Sequence, residues 1–175
     1  HVGSRVARMA EQLGMKVLLN DPPRADKGEQ GFVDLKTIAR ECDVVTFHTP
    51  LNRVGKYGTF HLADEDFFLS LKRTPYIINS SRGEVVDTAS LLSALAEGRV
   101  KDAVIDTWEN EPCISSDLLE KAYLATPHIA GYSADGKANA TRMSLEALCR
   151  FFGLEADFTI SPPELSGLQL SDNLE

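Results

Sequence analysis

Short apolar runs alternate along the chain with stretches whose apolar residues recur at helical spacing. The runs are Lys16-Val17-Leu18-Leu19-Asn20, Asp43-Val44-Val45-Thr46-Phe47, Tyr76-Ile77-Ile78, Asp102-Ala103-Val104-Ile105 and Tyr123-Leu124-Ala125. Each has strand length and is mostly apolar, as strands buried on both faces are. Helices are predicted over Val2 to Leu13, with Met9, Ala10 and Leu13 on its apolar face and Gly14 as its stop, and over Val33 to Glu41 and Ala63 to Leu71. Further helices are predicted over Asp87 to Glu97, with Asp87 as N-cap and Gly98 as stop, over Asp117 to Lys121, and over Gly136 to Phe152. Strands alternating with helices predict an α/β fold, a doubly wound parallel sheet covered by helices on both faces.

Every apolar run ends in polar residues. A parallel sheet gathers those ends along its carboxyl edge, where ligands bind in open α/β sheets. The residues so gathered are Asp21, Thr49, Arg82, Asp106, Glu111 and His128. Arginine binds a carboxylate through two parallel bonds, where lysine supplies a point charge. Histidine exchanges a proton near neutral pH, and a carboxylate beside it fixes its tautomer and stabilises the imidazolium. Together these side chains suit acid–base chemistry on an anionic substrate. Plainer readings stand beside that one. Arg82 taken alone is a solvated loop cation, Glu111 one acid of a solvated Glu109–Glu111 loop, and His128 a helix cap or a partner of a loop carbonyl. His48 is a second imidazole on the same edge, which position alone does not separate from His128. His61, in a polar loop before a helix, reads as structural or exposed.

Composition narrows the partners. The 175 residues carry a net charge of −8 without any basic stripe, which argues against nucleic acid and anionic membrane. No apolar run approaches the roughly 18–20 residues of a membrane span, and the opening residues show no signal-peptide pattern. Cys42, Cys113 and Cys149 are odd in number, widely spaced and without a CxxC pair, as expected of reduced packing residues in a cytosolic protein; no metal site is expected.

The opening helix, the run at Lys16 and the acid after it match the second half of a dinucleotide-binding βαβ unit. There the last glycine of GxGxxG opens the helix, and an acid about 20 residues on holds the adenosine ribose. Gly3 and Asp21, 18 residues apart, take those places. The earlier glycines and the strand before them are absent from the sequence.

Three longer motifs carry a family resemblance. They are Ile78-Asn79-Ser80-Ser81-Arg82-Gly83-Glu84-Val85-Val86-Asp87, then Asp106-Thr107-Trp108-Glu109-Asn110-Glu111-Pro112, then His128-Ile129-Ala130-Gly131. In this order, with Glu111 29 residues after Arg82 and His128 17 after Glu111, they resemble the D-isomer-specific 2-hydroxyacid dehydrogenases. The resemblance runs from residue 1 to about residue 160. It implies a Rossmann-type domain, NAD as cofactor, and His128 as acid/base with Glu111 its partner. Arg82 becomes the clamp on the substrate's carboxylate and C2 oxygen. Gly3, Asp21, Thr49, Ser80, Ser81, Arg82, Asp106 and Gly131 would surround NAD, with Asp106 on the nicotinamide carboxamide, and Tyr132 would lie near the substrate with Arg82 and His128. Asp21 to Asp26, Phe47 to Leu51, the Gly55-Lys56-Tyr57 loop and Gly131-Tyr132 resemble the branch acting on a phosphorylated four-carbon 2-hydroxy acid. The phosphoglycerate branch and a non-catalytic NAD-sensing regulator on the same fold remain open.

By that resemblance residues 1–157 form an NAD-binding domain, and Phe158 to Glu175 leads toward a dimerisation region of a homodimer. The strand order 3-2-1-4-5-6 would put the absent first strand between those at Lys16 and Tyr76, leaving unpaired backbone on both sides. The residues are therefore expected to be part of a longer chain with an N-terminal substrate domain. With no uncommitted cluster of Lys and Arg near the three motifs, most ligands of a substrate phosphate are expected in that domain.

Overall fold

The computed structural model describes residues 2–162, which fall into two compact units dividing between His128 and Ile129. In the first unit, helix α1 (Val2–Gln12) and the short α2 (Pro22–Ala25) precede α3 (Leu35–Glu41). From there strands and helices alternate: β1 (Val44–Phe47), α4 (Glu65–Ser70), β2 (Tyr76–Asn79), α5 (Thr88–Ala96), β3 (Asp102–Ile105), α6 (Ser116–Lys121) and β4 (Leu124–Ala125). A single 3-10 turn, Gly83–Val85, follows β2. The second unit holds α7 (Ala134–Phe152). No described helix is long and apolar enough to cross a membrane.

The four strands pair in parallel in the order β1-β2-β3-β4, so chain neighbours are sheet neighbours. Right-handed crossovers between strands advancing in one direction put their helices in one layer, and α3, α4, α5 and α6 indeed pack each against the next. Alternation along β2 sends Ile77 and Asn79 into the interior, while Tyr76 stands toward solvent. Ile77, Val85, Leu91 and Ala103 are sealed from solvent, with Phe47, Phe67 and Phe68 in edge-on contact around them.

Local chemistry starts and stops the helices where expected. Asp34, Asp64, Asp87, Ser115 and Ser133 each accept a backbone N–H of the following first turn, at 2.7, 2.9, 3.3, 3.2 and 3.0 Å. Each cap contributes about 1 kcal/mol. Gly14 and Gly98 close α1 and α5 at φ +80° and +70°, a conformation that costs a residue with a Cβ.

Three expectations need correction. The run Lys16–Asn20 is not a strand of the sheet: it forms one bridge, Leu19 with Phe32, with Val33 N–H donating to Leu19 O at 2.8 Å. An apolar run reports a wish for burial, not which backbone it pairs with. The strand beside Tyr76 is β1 itself, so β2 is flanked on both sides and no gap opens there. Lastly, the apolar residues of α1 and α7 do not line a core: Met9, Leu13, Met143, Leu148 and Phe151 are all exposed. A stripe shows that a helix can be covered, and among the described residues nothing buries these. The linker expected from Phe158 lies from residue 163 onward outside the described residues. The cysteines are free, Cys42 packing partly against the core.

Candidate active site

The loop after β2 is built around Asn79. Only 1% exposed, its amide spans the turn: Oδ1 accepts the Ser81 N–H at 3.2 Å and the Ser81 hydroxyl at 3.0 Å. Its Nδ2 donates to Arg82 O at 3.0 Å and Gly83 O at 3.4 Å. A buried amide can satisfy donors and acceptors at once, so this one residue holds Ser80 to Gly83 in shape. The Asn79 role was not readable from sequence, beyond the oddity of an amide ending a buried strand. Arg82, so held, is exposed; its Nη1 donates to Ser81 O at 2.6 Å, and it has no carboxylate partner among the described residues.

Gly83 sits where no side chain fits. A Cβ there would lie 2.0 Å from the carbonyl carbon and oxygen of Trp108 and 2.4 Å from the Glu109 nitrogen. The β2 and β3 loops therefore touch backbone to backbone. On the β3 side, buried Asp106 accepts the Thr126 hydroxyl at 2.6 Å, and its carbonyl accepts the His128 N–H at 2.8 Å. Trp108, also buried, donates its indole N–H to Thr126 O at 2.9 Å.

These contacts bring Glu111 to His128. Glu111 Oε1 accepts the Trp108 backbone N–H at 2.7 Å, and Oε2 lies 2.9 Å from His128 Nδ1. Burial pushes the Glu111 carboxyl up, but the bonds from His128 and the Trp108 N–H outweigh it and hold the group below its ordinary range. Glu111 is thus ionised at neutral pH and can only accept, so Nδ1 donates and the neutral ring keeps its lone pair on Nε2. His128 itself has φ +55°, a left-handed backbone rarely adopted by a residue with a side chain.

His48 is differently employed. Its Nε2 lies 3.1 Å from the Thr46 hydroxyl, and burial lowers its pKa, so it stays neutral. The Gly3 backbone packs on it, a Cβ at Gly3 reaching 3.3 Å from His48 Cβ. Close approach of helix to strand is the task of the last fingerprint glycine. Thr49 Oγ1 is buried with no hydrogen-bond partner among the described residues. Asp21 caps α2 through Oδ1 to the Arg24 N–H at 3.2 Å. Arg24 is clasped by Glu29, with Nε and Nη2 at 2.8 and 2.6 Å from Oε2, and lies over the Phe32 ring. Lys56 and Tyr57 both bond Asp26, tying the loop after β1 to α2. Gly131 and Tyr132 belong to the second unit, where Lys137 Nζ stands 3.7 Å over the Tyr132 ring.

His61 is neither idle nor exposed. It pairs with Glu109, Nε2 to Oε1 at 2.6 Å, while Glu109 Oε2 accepts the Thr88 N–H at 3.1 Å. Burial raises the Glu109 carboxyl, and the bonds from His61 and Thr88 more than reverse it. Nothing in the sequence links positions 61 and 109. With Asp87 they place three ligand-type atoms within 4.8 Å of one another. The carboxylates, however, cap α5: Asp87 accepts the Ala89 N–H and the Ser90 hydroxyl. The positive end of a helix disfavours a cation, so the cluster reads as a cap.

The chain matches, over residues 1–130, the family model described as D-isomer specific 2-hydroxyacid dehydrogenase, NAD binding domain. It is 61% identical to an erythronate-4-phosphate dehydrogenase of Bacteroides fragilis across 94% of this chain and 47% of that protein. It is 44% identical to the enzyme of that name from Proteus mirabilis, across 99% of this chain and 48% of that protein. The chain thus spans about half the length of these relatives. Among solved structures, D-lactate dehydrogenase with NAD+ from Lactobacillus jensenii superposes with a TM-score of 0.68 at 27% identity, covering 92% of this chain and 53% of that one. A glyoxylate reductase from Paecilomyes thermophila gives 0.69 at 27% identity, covering 84% and 45%.

Proposed function

We propose, from the premise that this chain belongs to the D-isomer specific 2-hydroxyacid dehydrogenase family, that it carries the cofactor half of an enzyme oxidising 4-phospho-D-erythronate at C2. In this reading residues 1–157 are the NAD-binding domain. The reaction is a step toward pyridoxal phosphate. The observation carrying the acid–base chemistry is the Glu111–His128 contact at 2.9 Å; Arg82, on the loop that meets the Glu111 loop at Gly83, has no carboxylate partner among the described residues. The choice of substrate is supported by the name of relatives 44–61% identical to this chain.

NAD, when bound, supplies the hydride acceptor. The chain's residues fit that group: Gly3 allows the helix to lie close on His48, and Thr49 Oγ1 has a hydrogen bond still to make. We assign Asp21 to the adenosine ribose and Ser80, Ser81, Arg82, Asp106 and Gly131 to the rest of the cofactor. His128 Nε2 takes the proton of the C2 hydroxyl as the C2–H bond breaks and its electron pair leaves as hydride. Glu111 stabilises the imidazolium that results. Arg82 binds the substrate carboxylate and steadies the charge developing on the C2 oxygen. By the family resemblance we also assign Tyr132 to substrate binding. The family resemblance supports a homodimer, and the free cysteines support a reducing compartment such as the cytoplasm.

The test follows NAD reduction by the natural protein with 4-phosphoerythronate, unphosphorylated erythronate and 3-phosphoglycerate. A higher kcat/KM for the first is expected. Equal values for the first two would remove the phosphate from the reading, and preference for the third would move the protein to the phosphoglycerate branch. Tight NAD binding without turnover of any would point to a regulator.

NAD is also expected to be preferred over NADP. A carboxylate at Asp21 accepts bonds from ribose hydroxyls and repels a 2′-phosphate. Arg24, the cation nearest in sequence, is occupied by Glu29 and Phe32. The ratio of kcat/KM for the two cofactors checks this, and a ratio near one refutes it.

A further inference from the structure

One turn carries two carboxylates, and each meets an imidazole. Glu111 meets His128 at 2.9 Å, and Glu109, two residues earlier, meets His61 at 2.6 Å. Between them Asn110 adopts φ +62°, and both histidines are left-handed too, His61 at φ +50° and His128 at φ +55°. The Glu109 side chain is the less exposed of the two acids, at 14% against 36%. Its oxygens are both spoken for: one by His61, the other by the Thr88 N–H at the start of α5.

We propose that His61 and Glu109 are positioning residues for the acid–base pair, pinning the Trp108–Glu111 turn so that the Glu111 carboxylate is held on Nδ1 of His128. The inference rests on the roles given above to Glu111 and His128. The turn has few other anchors: the Trp108 indole bond to Thr126 O and the backbone contact at Gly83. These reach only as far as the Glu109 nitrogen, and beyond it Asn110 O accepts the Cys113 N–H at 2.8 Å, so the side-chain anchors between there and Glu111 are the Glu109 carboxylate and the Glu111 bonds themselves. His61 is fixed in turn. Its N–H donates to Glu84 O at 2.7 Å and the Phe60 ring stacks on it at 3.9 Å. Arg53 braces that layer, bonded to the Glu84 carboxylate at 2.9 Å and lying over Phe60. Glu109 and Asp87 each place a carboxylate oxygen within 4.8 Å of a His61 ring nitrogen, and the Glu84–Arg53 pair lies in the layer behind.

A side chain that only stabilised the fold would, when removed, lower the melting temperature and leave the surviving folded protein normal. A positioning residue changes the folded protein itself. Glu109→Ala and the milder Glu109→Gln, which keeps an acceptor for Thr88, are made in the natural protein with His61→Gln. Expected is a fall in kcat of about tenfold for Glu109→Ala, less for Glu109→Gln, with KM for NAD changed less than about twofold. In a Glu111→Gln background Glu109→Ala should cost no further activity, because the two act through one contact. Independently of turnover, nitrogen-15 NMR of the folded protein should show the His128 Nδ1–carboxylate bond weakened in Glu109→Ala and restored in part in Glu109→Gln. An unchanged His128 signal, or a loss of activity that simply multiplies with that of Glu111→Gln, overturns the proposal. The NMR reading needs no substrate, so it stands apart from any failure of the assigned reaction. A fully active His128→Asn protein would overturn that reaction instead.

Discussion

His128→Asn is expected to lower kcat by about 10²–10⁴-fold, the usual contribution of a general acid–base group. Asparagine keeps the size and a hydrogen bond to Glu111 but cannot exchange a proton near neutral pH. The sheet edge offers two imidazoles, and the structure separates them by their partners. His128 meets an ionised carboxylate that can stabilise its charged form. His48 meets a hydroxyl, with its pKa lowered by burial, and packs against the first helix at Gly3. His48→Asn should therefore act mainly on affinity for the cofactor. Steady-state kinetics of both variants in the natural protein settles the matter: full activity in His128→Asn, or a larger loss of kcat in His48→Asn, sinks the assignment.

Gly83→Ala is expected to be among the most damaging single-methyl additions available in the first unit. The new Cβ would lie at 2.0 Å from the Trp108 carbonyl, a backbone atom that no rotamer change can clear. Overpacking typically costs 1–3 kcal/mol, and here relief requires the β2 and β3 loops to part, so about 3 kcal/mol or more is expected. The loops carry Arg82 on one side and Glu111 on the other, so activity should fall with stability. Denaturant midpoints and kcat measured together check this. A midpoint within error of the unaltered protein would show that the loops are not in contact in solution.

The sequence made the sheet edge visible because turn and cap residues announce where strands end and helices begin. Asp87 is N-cap of α5 as its position suggested, and Arg82, Asp106 and His128 do follow β2, β3 and β4. Pairing was less legible. That the Lys16–Asn20 segment would bridge to Phe32–Val33, or that His61 would find Glu109, depends on contacts 13 to 48 residues apart, for which no local pattern exists. Asn79 was hidden for another reason. A polar residue closing an apolar run looks like the first residue of the turn, when it is the buried template on which the turn is folded.

The order of the strands bears on how the sheet assembles. Because each strand pairs with the next, the closures join Val44 to Tyr76, Tyr76 to Asp102 and Val104 to Leu124, spans of 32, 26 and 20 residues. Chain entropy scales only with the logarithm of such spans, so the longest and shortest differ by about 0.4 kcal/mol. Connection length therefore gives no strand pair a head start. What separates the steps is how much apolar surface each removes from water, and Ile77, Leu91 and Ala103 in β2, α5 and β3 are all fully buried. The segment bearing Arg82 is enclosed by the closure of β2 on β3, so its loop takes shape with the centre of the sheet rather than after it.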